Sequence, residues 1–405
     1  MGRHALITIG MTLALGSCAW GQGTGQKSGP WVLEQSGTTA GLRGIHAVGG
    51  GVAWASGANG TVLRTEDGGY EWQRCGAPPD STTLDFRAVW AWDAQTAIVM
   101  SSGTGDQSRV YRTTDGCSHW TLVLTDPDKN GFFDAMVFAS KETGYLLGDP
   151  VNGTFPLMRT ADGGLTWTKV QGSGLSTQSE EIAAFAASNS ALSDAGLMVN
   201  AMLPGDGRVW FVTGGQRGTF IYKGVSNCAR SGNAAPDPAC LNTWTFQRQA
   251  LPMAGGSATT GAFSLRVVWW DEGVKAAIAV GGDYARPDQA DGTAAWSTDG
   301  QKWTAALKPP HGYRSAVMWD ADINAWITVG TNGSDVSWDG GRTWMPLDDG
   351  KWNALSLPWV VGPEGRIGKI DLDEVQRPQP NANRPGAVEP SRAAQPSQGG
   401  DQPVR

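Results

Sequence analysis

The sequence is short of the residue types from which most metal and nucleophilic sites are built. Its 405 residues include 4 His and 5 Cys. His4, His46, His119 and His311 form no cluster, and no C-x-x-C or H-x-x-x-H spacing occurs, so neither a metal nor another cofactor is expected. Positive charge is also scarce: 31 Lys and Arg stand against 38 Asp and Glu, a formal net charge of -7. A phosphate-binding surface needs a basic excess, so nucleic acid is excluded as a partner. Past the N-terminus no stretch approaches the ~20 apolar residues of a membrane helix. Phosphate-cradling loops and nucleophile motifs are missing as well.

What the chain has instead is 57 Gly, 20 Trp and an eight-residue unit that recurs. Its clearest copy is Ser337-Trp338-Asp339-Gly340-Gly341-Arg342-Thr343-Trp344. Earlier copies run from Thr65 through Asp67 to Trp72, from Thr113 through Asp115 to Trp120, and from Thr160 through Asp162 to Trp167. A copy one residue shorter runs from Ser297 through Asp299 to Trp303. In a β-hairpin the hydroxyl and the Asp bond backbone N–H groups inside the turn, and the glycines supply positive φ. The Trp then opens the return strand and offers a large apolar face to the neighbouring repeat. The unit resembles the Asp-box (BNR repeat) of β-propeller proteins, among them sialidases and photosystem II stability/assembly factor-like proteins. In those families the box is structural, which implies a folding role for Asp67, Asp115, Asp162, Asp299 and Asp339.

Repeats can be counted by their opening strands: Leu42-Arg43-Gly44-Ile45, Phe86-Arg87-Ala88-Val89, Phe133-Asp134-Ala135-Met136, Glu181-Ile182-Ala183-Ala184, Phe263-Ser264-Leu265-Arg266, Tyr313-Arg314-Ser315-Ala316 and Trp352-Asn353-Ala354-Leu355. The unit spacing fits a four-stranded repeat: 48 residues from Asp67 to Asp115, 47 from Asp115 to Asp162 and 40 from Asp299 to Asp339. The 137 residues from Asp162 to Asp299 are read as one degenerate repeat with insertions at 189–207 and 225–241. An eighth repeat is the structural alternative. Trp31-Val32-Leu33-Glu34-Gln35 reads as a strand without a hairpin partner, and the last repeat lacks a fourth strand, so pairing the two removes both exposed edges. The expected fold is all-β, a seven-bladed propeller of four-stranded antiparallel blades closed by the N-terminal strand.

The ends read differently. Residues 1–21 have the pattern of an export signal, with Arg3 and His4 before an apolar core and Ala19-Trp20-Gly21 as the cleavage site. Leu15-Gly16-Ser17-Cys18 can instead be read as a lipobox with Cys18 lipidated. Residues 22–30 form a linker, 31–372 the propeller, and 373–405 a Pro/Gln-rich tail too polar to order itself. Cys75, Cys117, Cys228 and Cys240 remain, an even number that favours disulfides in an exported, periplasmic or secreted chain. Cys228 and Cys240 would close a short loop, and Cys75 with Cys117 would bridge adjacent repeats.

Function in a repeat array must come from what differs between repeats on one face. The second position of each opening strand is expected at one mouth of the central channel: Arg43, Arg87, Asp134, Ile182 preceded by Glu181, Ser264, Arg314 and Asn353. Three converging arginines favour a carboxylate, a phosphate or an acidic peptide; internal salt bridging is the plainer reading. Asp283, Tyr284 and Arg286, on a loop of the same face, are further candidates for contacting a partner, although Asp in such loops is usually a turn former.

From Trp31 to Asp371 the chain resembles photosystem II stability/assembly factor-like propellers of a bacterial branch outside photosynthetic organisms. The matching segments include Gly131-Phe132-Phe133-Asp134-Ala135, Ala184-Phe185-Ala186-Ala187-Ser188, Gly281-Gly282-Asp283-Tyr284 and Gly312-Tyr313-Arg314-Ser315-Ala316-Val317. The resemblance implies a module that binds or assembles envelope proteins through a polar channel face. The expected protein is a non-catalytic monomer whose ligand is an envelope protein or an acidic peptide or glycan. The alternative is a sialidase-like or other glycoside hydrolase. Against it, no Arg-Ile-Pro segment occurs, and the separations of Asp134, Asp149, Glu181 and Asp283 are not set by sequence.

Overall fold

The computed structural model describes residues 27–177, 182–194, 207–228, 242–270 and 273–377. Its smallest building block is the hairpin closed by the eight-residue unit. Thr65 Oγ1 donates to Asp67 Oδ1 at 2.8 Å and accepts from the Gly69 N–H at 3.0 Å, while Asp67 Oδ1 accepts from the Glu71 N–H at 3.1 Å. Thr113 with Asp115, Thr160 with Asp162 and Ser337 with Asp339 repeat the pattern. In the shortened copy both acceptors reach one residue less far, Ser297 Oγ to the Gly300 N–H and Asp299 Oδ1 to the Lys302 N–H. Bonds from backbone N–H groups hold Asp67, Asp115 and Asp299 below the usual range, and Asp115 falls to about 2 through the His119 N–H and imidazole.

Four sheets follow the order of the chain in four antiparallel strands each. The first holds Leu42–Gly49, Val52–Gly57, Thr61–Thr65 and Gln73–Arg74. The next two begin at Phe86–Ala91 and Phe133–Phe138, and a later one at Ala316–Asp320. Ala354–Ser356, Trp359–Val361 and Ile367–Ile370 form a last sheet, which Trp31–Glu34 joins with Trp31 opposite Ile370 and Glu34 opposite Ile367.

Between residues 171 and 305 two strand sets merge into one ten-stranded sheet through the single pair Gly214 and Gly261. A Cβ on either glycine would lie 2.4 Å from the other's Cα, so only glycine lets the two backbones approach. Arg208–Gly215, Phe220–Ser226 and Thr243–Ala250 fall where the degenerate repeat was expected. Its opening strand does not. Ile182–Ala183 pairs only with Gly215 and Gly214, while Leu192–Asp194 pairs along Val209, Trp210 and Phe211. The intervening Ser188-Asn189-Ser190, with Asn189 at φ 63°, turns the chain away from a continuous strand.

Side chains lock neighbouring sheets together. Trp72 meets Trp359 edge-on at 5.4 Å and Trp120 meets Trp54 at 6.5 Å, so the unit's Trp does pack on the preceding sheet. A basic residue of the third strand donates to a turn glycine of the next strand set: Arg112 to Gly163 O, Lys223 to Gly300 O and Lys369 to Gly68 O. Cys75 and Cys117 form a disulfide between the first two sheets. Closing a loop of 42 residues this way stabilises the fold by roughly 2–4 kcal/mol. Cys240 lies outside the described residues. No helix among the described residues is long and apolar enough to cross a membrane.

Candidate functional site

In four of the sheets the pairing of the first two strands slips by one residue near the start. The shifts fall between Leu42 and Gly44, Phe86 and Ala88, Phe133 and Ala135, and Ala262 and Ser264. The skipped residue of each bulge is aimed out of the ladder. Those residues are Arg43, Arg87, Asp134 and Phe263. In the sheet beginning at Ala316 the pair Ala316 and Val329 is the counterpart of Gly44 and Ser56, so Ser315 takes the place of Arg43.

Two sequence assignments are therefore displaced by one residue: Phe263 replaces Ser264 at the mouth, and Ser315 replaces Arg314. Glycine fixes this register. A Cβ on Gly281 would lie 1.9 Å from Gly261 O, and one on Gly330 2.0 Å from Tyr313 O, so each must face the chain just before the bulge. Because side chains alternate, a shift of one residue turns Arg314 inward. It is fully buried. Its Nε and Nη2 donate to Asp335 Oδ2, and its Nη1 to Tyr313 O and Asn332 Oδ1, both at 2.6 Å. Ser264 instead accepts from the Val317 N–H.

Arg43 and Arg87 come together. Arg87 Nε donates to Asp85 Oδ2 at 2.9 Å and Nη1 to Ala186 O at 3.2 Å. Arg43, partly buried, makes no hydrogen bond or ion pair with any described residue. Burial first, and the Arg87 charge second, lower its affinity for its own proton. Arg43 thus lies near the charge of Arg87 without a carboxylate of its own, whereas Arg87 is paired with Asp85.

Below them lies a buried pair of acids. Asp134 is 1% exposed and its Oδ2 finds no hydrogen-bond partner. Burial and then the Asp149 charge push its carboxyl well above the ordinary range, against the pull of Arg87. Asp149 accepts the Ala184 N–H at 2.9 Å and is pushed up to about 7, mainly by burial. Acids raised on folding stabilise the fold most at low pH, and that contribution is lost as pH rises through the folded value. Asp149→Asn keeps the acceptor for Ala184 and removes one of the two. Urea midpoints of the variant should fall less than those of the parent between about pH 4 and about pH 8; equal falls would show that Asp149 ionises normally.

Aromatic rings border the arginines. Phe263 stacks on Phe185 at 3.9 Å, and Tyr313 and Tyr284 meet Phe263 edge-on at 4.9 and 6.0 Å. Tyr313 senses both Arg43 and Arg87, and burial pushes its phenol up. Tyr284 stays 49% exposed at the rim. Beside it Asp283 is buried, accepts the Ala285 N–H and pairs with the exposed Arg286 at 2.7 Å, so this carboxylate is taken up by its own loop. Asn353 ties the last sheet to the first by donating to Leu42 O. Ile182 is buried, and Glu181 lies outside the described residues. Phe185, Phe263, Ser315 and Tyr313 were missed from sequence; reading register from Gly281 and Gly330 would have found the middle two. Among the described residues no three His, Cys, Asp or Glu side chains gather as metal ligands.

No family model and no curated protein sequence matches the chain. Solved structures do. YCF48 bound to D1 peptide is 16% identical, with a TM-score of 0.53 over 85% of this chain and 98% of its own. The fold is a β-propeller. YCF48 from Cyanidioschyzon merolae gives the same TM-score at 18% identity, over 85% of this chain and 99% of its own. A glycoside hydrolase described as an ancestral GH74 enzyme reaches a TM-score of 0.46 at 13% identity, over 83% of this chain and 42% of its own. Arg43, Arg87, Asp134, Phe263 and Ser315 hold equivalent places in the register of five of its strand sets.

Proposed function

We propose that this chain is an exported, non-catalytic, seven-bladed propeller, periplasmic or secreted, that binds acidic or carboxylate-ended peptide segments of envelope proteins at this mouth. The unpaired, partly buried guanidinium of Arg43 beside Arg87 carries the reading, since a carboxylate would neutralise Arg43 through a bidentate contact while Arg87 keeps its pairing with Asp85. The structure of YCF48 with a bound D1 peptide supports a propeller of this kind holding a peptide. It also favours a place among assembly-factor-like propellers, here in a branch outside photosynthetic organisms. The seven-bladed ring is supported by the order in which first strands touch: Leu42–Gly49, Phe86–Ala91, Phe133–Phe138, Leu192–Asp194, Thr260–Trp270, Ala316–Asp320, Ala354–Ser356, then Leu42–Gly49 again. Export is supported by the disulfide.

The test is peptide binding by fluorescence anisotropy, with peptides drawn from whatever envelope protein the parent retains from extract. Arg43→Ala should weaken binding about ten- to a hundredfold, the worth of a hydrogen bond to a charged group. Amidating the peptide's carboxylate should weaken it as much, and the two losses should not add. A parent that retains no envelope protein, or Arg43→Ala binding unchanged, would end this reading.

A further inference from the structure

One stretch inside the mouth behaves like a bound peptide. Between Ala183 and Leu192 the chain joins no strand ladder, and its backbone meets strands only at its end, where Ser190 O accepts the Leu265 N–H and Ala191 O the Val212 N–H; it runs from the fourth strand set across the ends of its neighbours. Its backbone and short side chains are held from four other strand sets. Asp149 accepts the Ala184 N–H, and Arg87 donates to Ala186 O two residues on. Asn189 Oδ1 accepts the Met136 N–H at 2.6 Å, Ser188 Oγ donates to Ser315 O at 2.6 Å, and Ser190 Oγ donates to Ser264 Oγ at 2.8 Å. The Phe185 ring lies flat on Phe263.

A carboxylate on an N–H, a guanidinium on the C=O two residues later and a ring in an aromatic slot are the elements by which a groove reads an extended peptide. Here two of the groups at the mouth, Arg87 and Phe263, are already occupied, and Arg43 is not. We propose that Ala184–Ser190 is a self-inhibitory strap. It fills the peptide groove and gives way to an incoming segment with an aromatic residue followed by small ones and a carboxylate, which replaces the strap's contacts and adds the pairing of Arg43. The inference rests on the peptide-binding reading and names the ligand class of the same site. The measured affinity is then the intrinsic affinity scaled by the fraction of molecules with the strap out.

Two variants move that fraction in opposite directions. Ser190→Cys with Ser264→Cys, whose hydroxyl oxygens lie 2.8 Å apart in the parent, locks the strap in by a disulfide. Phe185→Ala removes its stacking anchor. The probe is a fluorescein-labelled Ala-Phe-Ala-Ala-Ser-Asp peptide with a free carboxylate, and Ser190→Cys alone is the control for the lock. Expected are binding at least about fivefold tighter for Phe185→Ala and at least about tenfold weaker for the locked protein than for the parent and the control. Equal binding by locked and parent proteins would overturn the strap while leaving the peptide site standing. No binding by any form, Phe185→Ala included, alongside loss of the Arg43 effect on envelope peptides, would overturn both.

Discussion

A chain that starts after Gln35 is expected to lose its cooperative unfolding transition. The four residues Trp31–Glu34 are the outer partners of Ile367–Ile370, so their removal leaves that strand with a row of unpaired backbone groups. The larger loss is Trp31 itself. It is fully buried, its Nε1 donates to Ser334 Oγ at 3.0 Å in the preceding sheet, and its ring lies 5.9 Å from that of Trp352. Truncating one such residue costs about 3–5 kcal/mol, and removing the whole strand adds its ladder bonds to that sum. Against a typical stability of about 5–15 kcal/mol, the remainder is too small to hold a single native state. Differential scanning calorimetry of residues 36–405 against 27–405 reads this directly.

The same experiment has a rescue arm. Lys27 reaches Asp371 and Glu374 at 3.1 Å, which places the start of the described chain beside its end. Residues 27–35 moved behind Gln376 on a short Gly/Ser link should therefore restore the transition. If the truncated chain melts within a few degrees of the parent, the strand is an ornament and the proposal of a ring closed by it falls.

This terminal pairing was legible because both halves are incomplete repeats, one strand without a hairpin and one hairpin pair without its fourth strand. The eight-residue units were legible for a different reason: Thr160, Asp162 and Thr166 bond within a few residues of one another, so local chemistry decides them. The mouth was harder. Tyr313-Arg314-Ser315 copies the look of Phe86-Arg87-Ala88, yet a bulge displaces one pattern against the other, and only the glycine facing the slip records it. The strap was illegible for a third reason. Ala184–Ser190 has no periodicity of its own, and the groups that position it come from Arg87, Met136, Ser264 and Ser315, far away in the chain. Side-chain contacts between distant repeats leave no mark on a single sequence.

The displaced arginine gives the second large effect. Arg314→Ala should cost about 3–5 kcal/mol, because it strands a charge where water cannot reach it. Asp335 is buried, and its carboxyl is held below the usual range although burial pushes it up; the hydrogen bond from His311 and the charge of Arg314 prevail. Without the guanidinium only His311, through its ring and its N–H, still serves that carboxylate. Arg314→Lys should recover little, since a point charge cannot reach Asp335, Asn332 and Tyr313 O together. Arg314→Met combined with Asp335→Val should recover most of the loss, because replacing both partners of a buried pair is far cheaper than breaking it. Urea unfolding of the four proteins measures all three differences. The peptide assay adds a second reading, for Arg314 holds the carbonyl of Tyr313, whose ring packs against Phe263 next to Arg43. If Arg314 only positions Tyr313, the Met/Val pair should fold well and still bind more weakly than the parent. A loss under about 1 kcal/mol for Arg314→Ala would instead mean that solvent reaches Asp335, and the inward placement of this arginine would have to be given up.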